Sequence, residues 1–182
     1  MKVLVIAAVI AAAALPAVAS AHIVFATAQA QAGSSFVGAL RVGHGCNGSA
    51  TVSLRVEIPD GVMGARPQAK PGWTVHIERT PLKTPVPGEG GKMQTDRVSA
   101  ITWTGMLPDD EFDDFAVQLK LPKTAGVLYF PAVQTCQSGQ AVWKDIPAAG
   151  QAWHDVPHPA PVLTLTEGMA GMPGMDMGGM GH

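Results

Sequence analysis

His22 and a run of methionines over residues 169–182 are the groups in this chain whose chemistry stands out. His22 follows Ala19-Ser20-Ala21, and the small residues at 19 and 21 read as a signal-peptidase exit. Cleavage after Ala21 makes His22 the first residue of a mature chain. Its free α-amine and one ring nitrogen can then grip a single ion as a chelate. An α-amine titrates near pH ~8, so a metal displaces its proton under ordinary conditions. Nitrogen donors of this kind suit Cu(II). The plain alternative is that His22 merely follows a cleavage site.

Met169, Met172, Met175, Met177 and Met180 are five of the nine methionines, and His182 closes the stretch. From Glu167 onward the residues are mostly small, with many glycines and no aromatic group. Such a segment cannot build a packed core and is expected to be disordered. A flexible tail gains nothing from methionine as a core filler. Soft thioethers select Cu(I). The alternative is a low-complexity tail with no ligand. A nitrogen chelate for Cu(II) and thioethers for Cu(I) are both expected of an exported copper-handling protein. No CxxC, Ser/His/Asp or phosphate-cradling glycine motif competes with them.

The elements that must position these groups lie between. Lys2 and the apolar run Val3 to Pro16 complete a secretory signal over residues 1–21. The run is too short and Ala-rich for a membrane span. The mature chain is therefore expected outside the inner membrane, in the periplasm, with no transmembrane segment. Twelve Lys and Arg face 14 Asp and Glu, with no basic run and no aromatic-basic interleaving, which argues against a nucleic-acid partner. Cys46 and Cys136 are the two cysteines. In an oxidising compartment the pair is most simply one disulfide. It would close a loop of about 90 residues, worth roughly 4–5 kcal/mol in the chain-entropy account. A pair of thiolate copper ligands is the rival.

Abundant Gly and Pro between short strand-like runs predict an all-β sandwich of about eight strands over residues 22–166. The first strand opens at His22. Gln29 to Ser34 reads as a polar turn, and Phe36 to Val42 as a strand whose inward parity extends to His44 and Cys46. Thr51 to Ile58 alternates, with Val52, Leu54, Val56 and Ile58 inward. Trp73, Val75 and Ile77 read as core, with His76 outward. Thr84 to Gly91 reads as a loop, Val98 to Thr104 as a strand. Five acids crowd residues 109–114 (Asp109, Asp110, Glu111, Asp113, Asp114) without calcium-loop spacing, so a solvated acidic loop is expected rather than a Ca²⁺ site. Phe115, Val117 and Leu119 point inward. Leu128 to Gln134, Ala141 to Trp143 and Val162 to Thr166 supply the remaining strands. His154 and His158 sit in an irregular, Pro-punctuated segment and either face solvent or approach the site.

The sequence also resembles a known family, the YcnI-like copper-binding domain family. The resemblance covers about His22 to Leu165. It rests on Ala21-His22-Ile23-Val24, Arg41-Val42-Gly43-His44-Gly45-Cys46, and Gln68 to Glu78. It continues through Leu107-Pro108-Asp109-Asp110, Tyr129 to Gln134 with Cys136, and Val142-Trp143 with Ile146 to Gln151. What it implies is an immunoglobulin- or cupredoxin-like β-sandwich that binds Cu(II) through a single-histidine brace. The processed histidine, matched by His22, gives amine and ring nitrogen. A glutamate and a nearby tryptophan, matched by Trp143, complete the site. This chain departs at the glutamate: the strand that should end in it reads Val42-Gly43-His44-Gly45-Cys46. His44 is the natural replacement, since imidazole is a good Cu(II) ligand. It would make a fuller brace of two imidazoles and one amine. The other reading of His44 is a turn residue beside the disulfide.

Three functions follow. The first is an exported copper-binding protein that buffers copper or hands it to a partner, either another exported copper protein or a membrane copper transporter. The second is a copper oxygenase using the same brace. Such enzymes also need a flat, aromatic-rich binding face, and the chain has one tyrosine. Glycan cleavage driven by ascorbate would mark that reading. The third is an interaction module with incidental metal affinity.

Overall fold

The structure, a computed structural model, describes residues 22–168. It is built almost wholly of strands. In chain order these are β1 (Val24–Phe25), β2 (Gln29–Gln31), β3 (Ser35–Val42), β4 (Thr51–Glu57), β5 (Gly64–Pro67) and β6 (Thr74–Pro87). There follow β7 (Met93–Leu107), β8 (Asp113–Lys120), β9 (Gly126–Tyr129), β10 (Ala132–Cys136), β11 (Gln140–Trp143) and β12 (Val162–Thr166). One sheet has the order β1-β3-β8-β5, the second β11-β10-β4-β7-β6, and a small third sheet β2-β12-β9. Among the described residues no helix is long and apolar enough to cross a membrane.

The core is made by strict alternation. On β8, Phe115, Val117 and Leu119 are buried; on β4, Leu54 and Val56 are, and Ile58 follows just beyond. Trp103 of β7 meets Phe115 edge-on at 5.6 Å, and Trp73 meets the same ring at 4.9 Å. Period-2 burial of large apolar side chains from two facing sheets is what a sandwich requires.

Several expectations are corrected. The count is twelve described strands rather than about eight. Gln29–Gln31 is a strand, because it gains β12 as a parallel neighbour, a pairing no local pattern shows. Gly64–Pro67, which carries no strand pattern in the sequence, is the edge strand beside β8. The run Leu128 to Gln134 is broken at Phe130-Pro131, so β9 and β10 belong to different sheets. Much of the expected loop Thr84–Gly91 belongs to the long β6–β7 hairpin, since β6 continues to Pro87. Pro81, Pro85 and Pro87 fit there because β6 is an edge strand. The same edge position leaves Val75 and Ile77, expected in the core, 36% and 38% exposed. They flank a shallow groove with Pro67 and Pro71, because no strand of the opposite sheet covers them. Thr51, expected outward, is fully buried, since a register shift between Thr51 and Ser53 turns it in.

Candidate functional site

His22 stands immediately before β1. Val24 pairs with Arg41 and Phe25 with Leu40. Carrying that antiparallel register back two steps sets Ile23 against Val42, both 1% exposed, and His22 level with Gly43. The processed end expected from the sequence is therefore pinned by a buried isoleucine to the end of β3, one residue from His44.

Two indoles hold the His22 ring. Trp143, the last residue of β11, lies 5.5 Å away centroid to centroid and tilted by 55°. Trp153 lies 5.1 Å away, tilted by 53°. Trp143 is buried at 6% exposure because β11 pairs with β10 and turns the indole into the core. Its Nε1–H is buried and has no hydrogen-bond acceptor among the described residues, a state it shares with Trp103 Nε1 in the core. A buried unpaired donor is costly, by about 1–3 kcal/mol.

Trp153 was not singled out by the sequence reading. It sits in a one-turn 3-10 segment, Trp153–Asp155, in the irregular stretch between β11 and β12. That stretch folds back because Asp145 ties its base. The Asp145 amide donates to the His158 carbonyl at 2.9 Å, and the Ala160 amide donates to the Asp145 carbonyl at 2.9 Å. The His158 amide donates to Asp145 Oδ2 at 3.0 Å. Trp153 Nε1 donates to the Ala160 carbonyl at 2.7 Å, which locks the indole over His22. The available signal was a lone tryptophan in a polar, Pro-rich loop. His158 also lies on Trp143, at 5.9 Å, whereas His154 is exposed and lies 3.6 Å from Asp155 Oδ1.

His44 is half-buried just past β3. Its Nδ1 is 2.6 Å from the Gly45 carbonyl. A carbonyl only accepts, so Nδ1 carries the proton and Nε2 of the neutral ring is the nitrogen left with a lone pair. This is how ligand histidines are commonly oriented. The backbone of His44 is fixed by buried Gln134, whose Nε2 donates to the His44 carbonyl at 2.8 Å and to Thr51 Oγ1 at 2.7 Å. Beyond it, Cys46-Asn47-Gly48-Ser49 closes a tight turn, with positive φ at Asn47 (49°) and Gly48 (82°). Gly45 has no room for a side chain: an added Cβ would overlap the Ser49 carbonyl and lie 2.8 Å from Asp109 Oδ1. Cys46 is disulfide-bonded to Cys136, with Cα atoms 5.9 Å apart, so these sulfurs are not thiolate ligands.

The structure thus brings His22, Trp143 and Trp153 together in ring contact. It sets His44 beside the start of β1 by register, without a ring contact to His22 among the described residues. Among those residues no three His, Cys, Asp or Glu side chains converge on one point. Were His22 the first residue of the chain, its amine and ring would supply two nitrogen donors without such a trio, a set of the kind that suits Cu(II). Met169, Met172, Met175, Met177, Met180 and His182 lie outside the described residues, as does the segment 1–21.

The acidic stretch borders this end of the sandwich. Two of its carboxylates are held by cations rather than converging on a Ca²⁺ site. Arg41 donates to Asp114 through Nε and Nη2, both at 2.8 Å, and Lys70 Nζ sits 2.6 Å from Asp113. Hydrogen bonding from Arg41, with its charge adding to it, holds the Asp114 carboxyl below the usual carboxylate range. A depressed carboxyl contributes stability that is present above the ordinary carboxylate pKa and lost as pH falls through the lowered one. Arg41→Ala is expected to move the Asp114 titration upward, read by carboxyl ¹³C NMR. An unmoved titration would show that the pair does not set it.

Comparison with known proteins bears on this arrangement. No curated protein matches the chain. An uncharacterized protein from Nocardia farcinica, whose crystal structure reveals an immunoglobulin-like fold, is 30% identical. The match covers 80% of this chain and 99% of that one, with a TM-score of 0.60. Residues 22–165 match the family described as a domain of unknown function, DUF1775, from the residue that opens the site to the penultimate residue of β12. The chain therefore belongs to the DUF1775 family, the family its sequence motifs resemble.

Proposed function

We propose that the mature chain is an exported, periplasmic copper-binding protein that buffers copper or passes it to a partner, and is not an enzyme. Cu(II) is bound by the amine and ring of a processed His22, with His44 Nε2 as the next nitrogen donor. Cu(I) is taken by the methionines of residues 169–182. The observation that carries this reading is the setting of His22. A histidine at the expected cleavage point is anchored by the buried Ile23 beside it and held in ring contact with two indoles, Trp143 and Trp153. The residues around it do three things. Ile23 and β3 fix where the amine sits, the indoles restrict the ring and shed water from one side, and Gln134 fixes the His44 backbone.

The partners are another exported copper protein or a membrane copper transporter, because bound copper must be given up to something that binds it in turn.

The test is a Cu(II) titration of protein beginning at His22. One equivalent should quench the emission of Trp143 and Trp153, and the EPR spectrum should show nitrogen couplings. His44→Ala should remove one imidazole coupling and keep the tight first equivalent. If His44→Ala leaves the spectrum unchanged, His44 is a turn residue only. If no quenching occurs, the Cu(II) reading fails.

A further inference from the structure

The two indoles on His22 are held in different ways. Trp143 ends β11 and belongs to the core cluster, so it cannot leave the imidazole without disturbing the sandwich. Trp153 is half-buried and lies in the irregular stretch between β11 and β12. Asp145 clasps the base of that stretch through its hydrogen bonds with His158 and Ala160, and it forms an isolated bridge with Pro159. Residues 146–157 thus make a strap that rises from a fixed clasp.

The strap's hydrogen bonds close on itself. The Gln151 amide donates to the Ala148 carbonyl at 3.0 Å, and the Ala148 amide to Gln151 Oε1 at 3.2 Å. The Asp155 amide donates to the Ala152 carbonyl at 3.1 Å, and the Ala152 amide to Asp155 Oδ2 at 3.1 Å. These bonds make two stiff turns side by side. The Trp153 Nε1 bond to the Ala160 carbonyl, at 2.7 Å, ties the strap to its clasp. Among the described residues no hydrogen bond or ion pair joins residues 146–157 to any strand. None of them is buried, and only Pro147, Trp153 and Val156 are half-buried. A segment with so few buried contacts opens locally at low free energy. Its ring contact with the rest of the domain is Trp153 on His22, at 5.1 Å.

We infer that Trp153 is the gate of the His22 site. The strap swings on the Asp145 clasp, and the indole on or off the imidazole decides when copper enters and leaves. This rests on the Cu(II) reading of His22 and adds to it a residue that sets the rate of exchange. Opening costs one hydrogen bond and one ring contact, and the core is untouched. A cover of this kind slows entry and exit alike, since both pass through the open form. Buffering uses the closed form and hand-over the open one, so a strap this lightly held serves both.

The experiment uses the chain beginning at His22, as wild type, Trp153→Ala, Trp153→Phe and Asp145→Ala. Thermal unfolding reports that each is folded. In metal-free protein, a neutral gadolinium chelate should broaden the His22 ring-proton signals severalfold more in Trp153→Ala than in wild type. In stopped flow, Cu(II) uptake and Cu(II) transfer to excess EDTA should both quicken about tenfold or more in Trp153→Ala, given an open population of ~10% or less in the wild type. Affinity then moves by less than either rate. Trp153→Phe keeps a ring but loses the bond to Ala160, so its rates should fall between. Asp145→Ala leaves Trp153 in place in the chain and loosens the clasp, so both of its rates should also rise. If every chain binds Cu(II) and the rates stay at the wild-type values, the gate is overturned and the copper reading stands. Unchanged broadening in Trp153→Ala would show that the indole does not cover His22, which also overturns it. If only release quickens and affinity falls in step, Trp153 is a fixed wall of the bound state and not a gate. If the wild-type chain binds no Cu(II), the copper reading fails and the gate falls with it.

Discussion

Acetylating the α-amine of a chain that begins at His22 is expected to weaken Cu(II) binding by at least ~100-fold, about 2.8 kcal/mol. The reason is local. The acetyl group turns the α-amine into an amide and brings no new amine, so the two-point chelate of amine and imidazole is lost. The ring stays where Trp143 and Trp153 hold it, since Ile23 still anchors β1. The acetylated chain should therefore keep its fold and lose only the chelate. Tryptophan quenching on Cu(II) titration measures this directly, and ordinary unfolding curves supply the control. Affinity unchanged by acetylation would remove the brace from the proposed function. The comparison also separates the Cu(II) end from the tail. A chain ending at Gly168 still begins at His22, so its first Cu(II) equivalent should match that of the full chain.

The sandwich was legible where its pattern is local. Leu54, Val56, Phe115, Val117 and Leu119 announce their inward face by alternation alone, and the structure buries all five. Legibility stopped where a residue's fate depends on a distant neighbour. Val75 and Ile77 alternate just as well, yet lie on an edge that no facing strand covers. Thr51 breaks parity because of a bulge against β7, and Gln29–Gln31 becomes a strand only through β12. The site divides in the same way. His22 and Trp143 were found from a cleavage pattern and a family motif, and the structure sets their rings side by side. Trp153 escaped because its position is created by Asp145 reaching across thirteen residues to His158. Gln134 escaped as a support for His44 because a buried amide bridging two strands has no signature in one strand's sequence.

Replacing both Cys46 and Cys136 by alanine is expected to cost about 4–5 kcal/mol, given the sequence separation of 90. For a domain of this size that is a drop in Tm on the order of 10 °C or more. Urea denaturation should show it as an earlier midpoint, by about 2 M for a slope near ~2 kcal/mol per M. The loss reaches the site by a traceable route. Cys46 ends the segment that begins at His44, and Cys136 lies two residues beyond Gln134, whose side chain holds the His44 carbonyl. Without the bond, the turn Cys46–Ser49 keeps its own two backbone hydrogen bonds, Cys46 amide to Ser49 carbonyl and the reverse, each 3.0 Å. It keeps hydrogen bonds to β10 and the residues just past it, from Gln134 Nε2 to the His44 carbonyl and from the Ser138 amide to Ser49 Oγ, but loses the covalent tie, so His44 is less firmly placed. The first Cu(II) equivalent at His22 should persist in the folded double variant, with a weakened second imidazole coupling. A loss of all Cu(II) binding while the domain remains folded would instead make the sulfurs part of the metal chemistry. A stability change under ~1 kcal/mol would mean that the β10 pairing with β4 closes the 90-residue loop by itself.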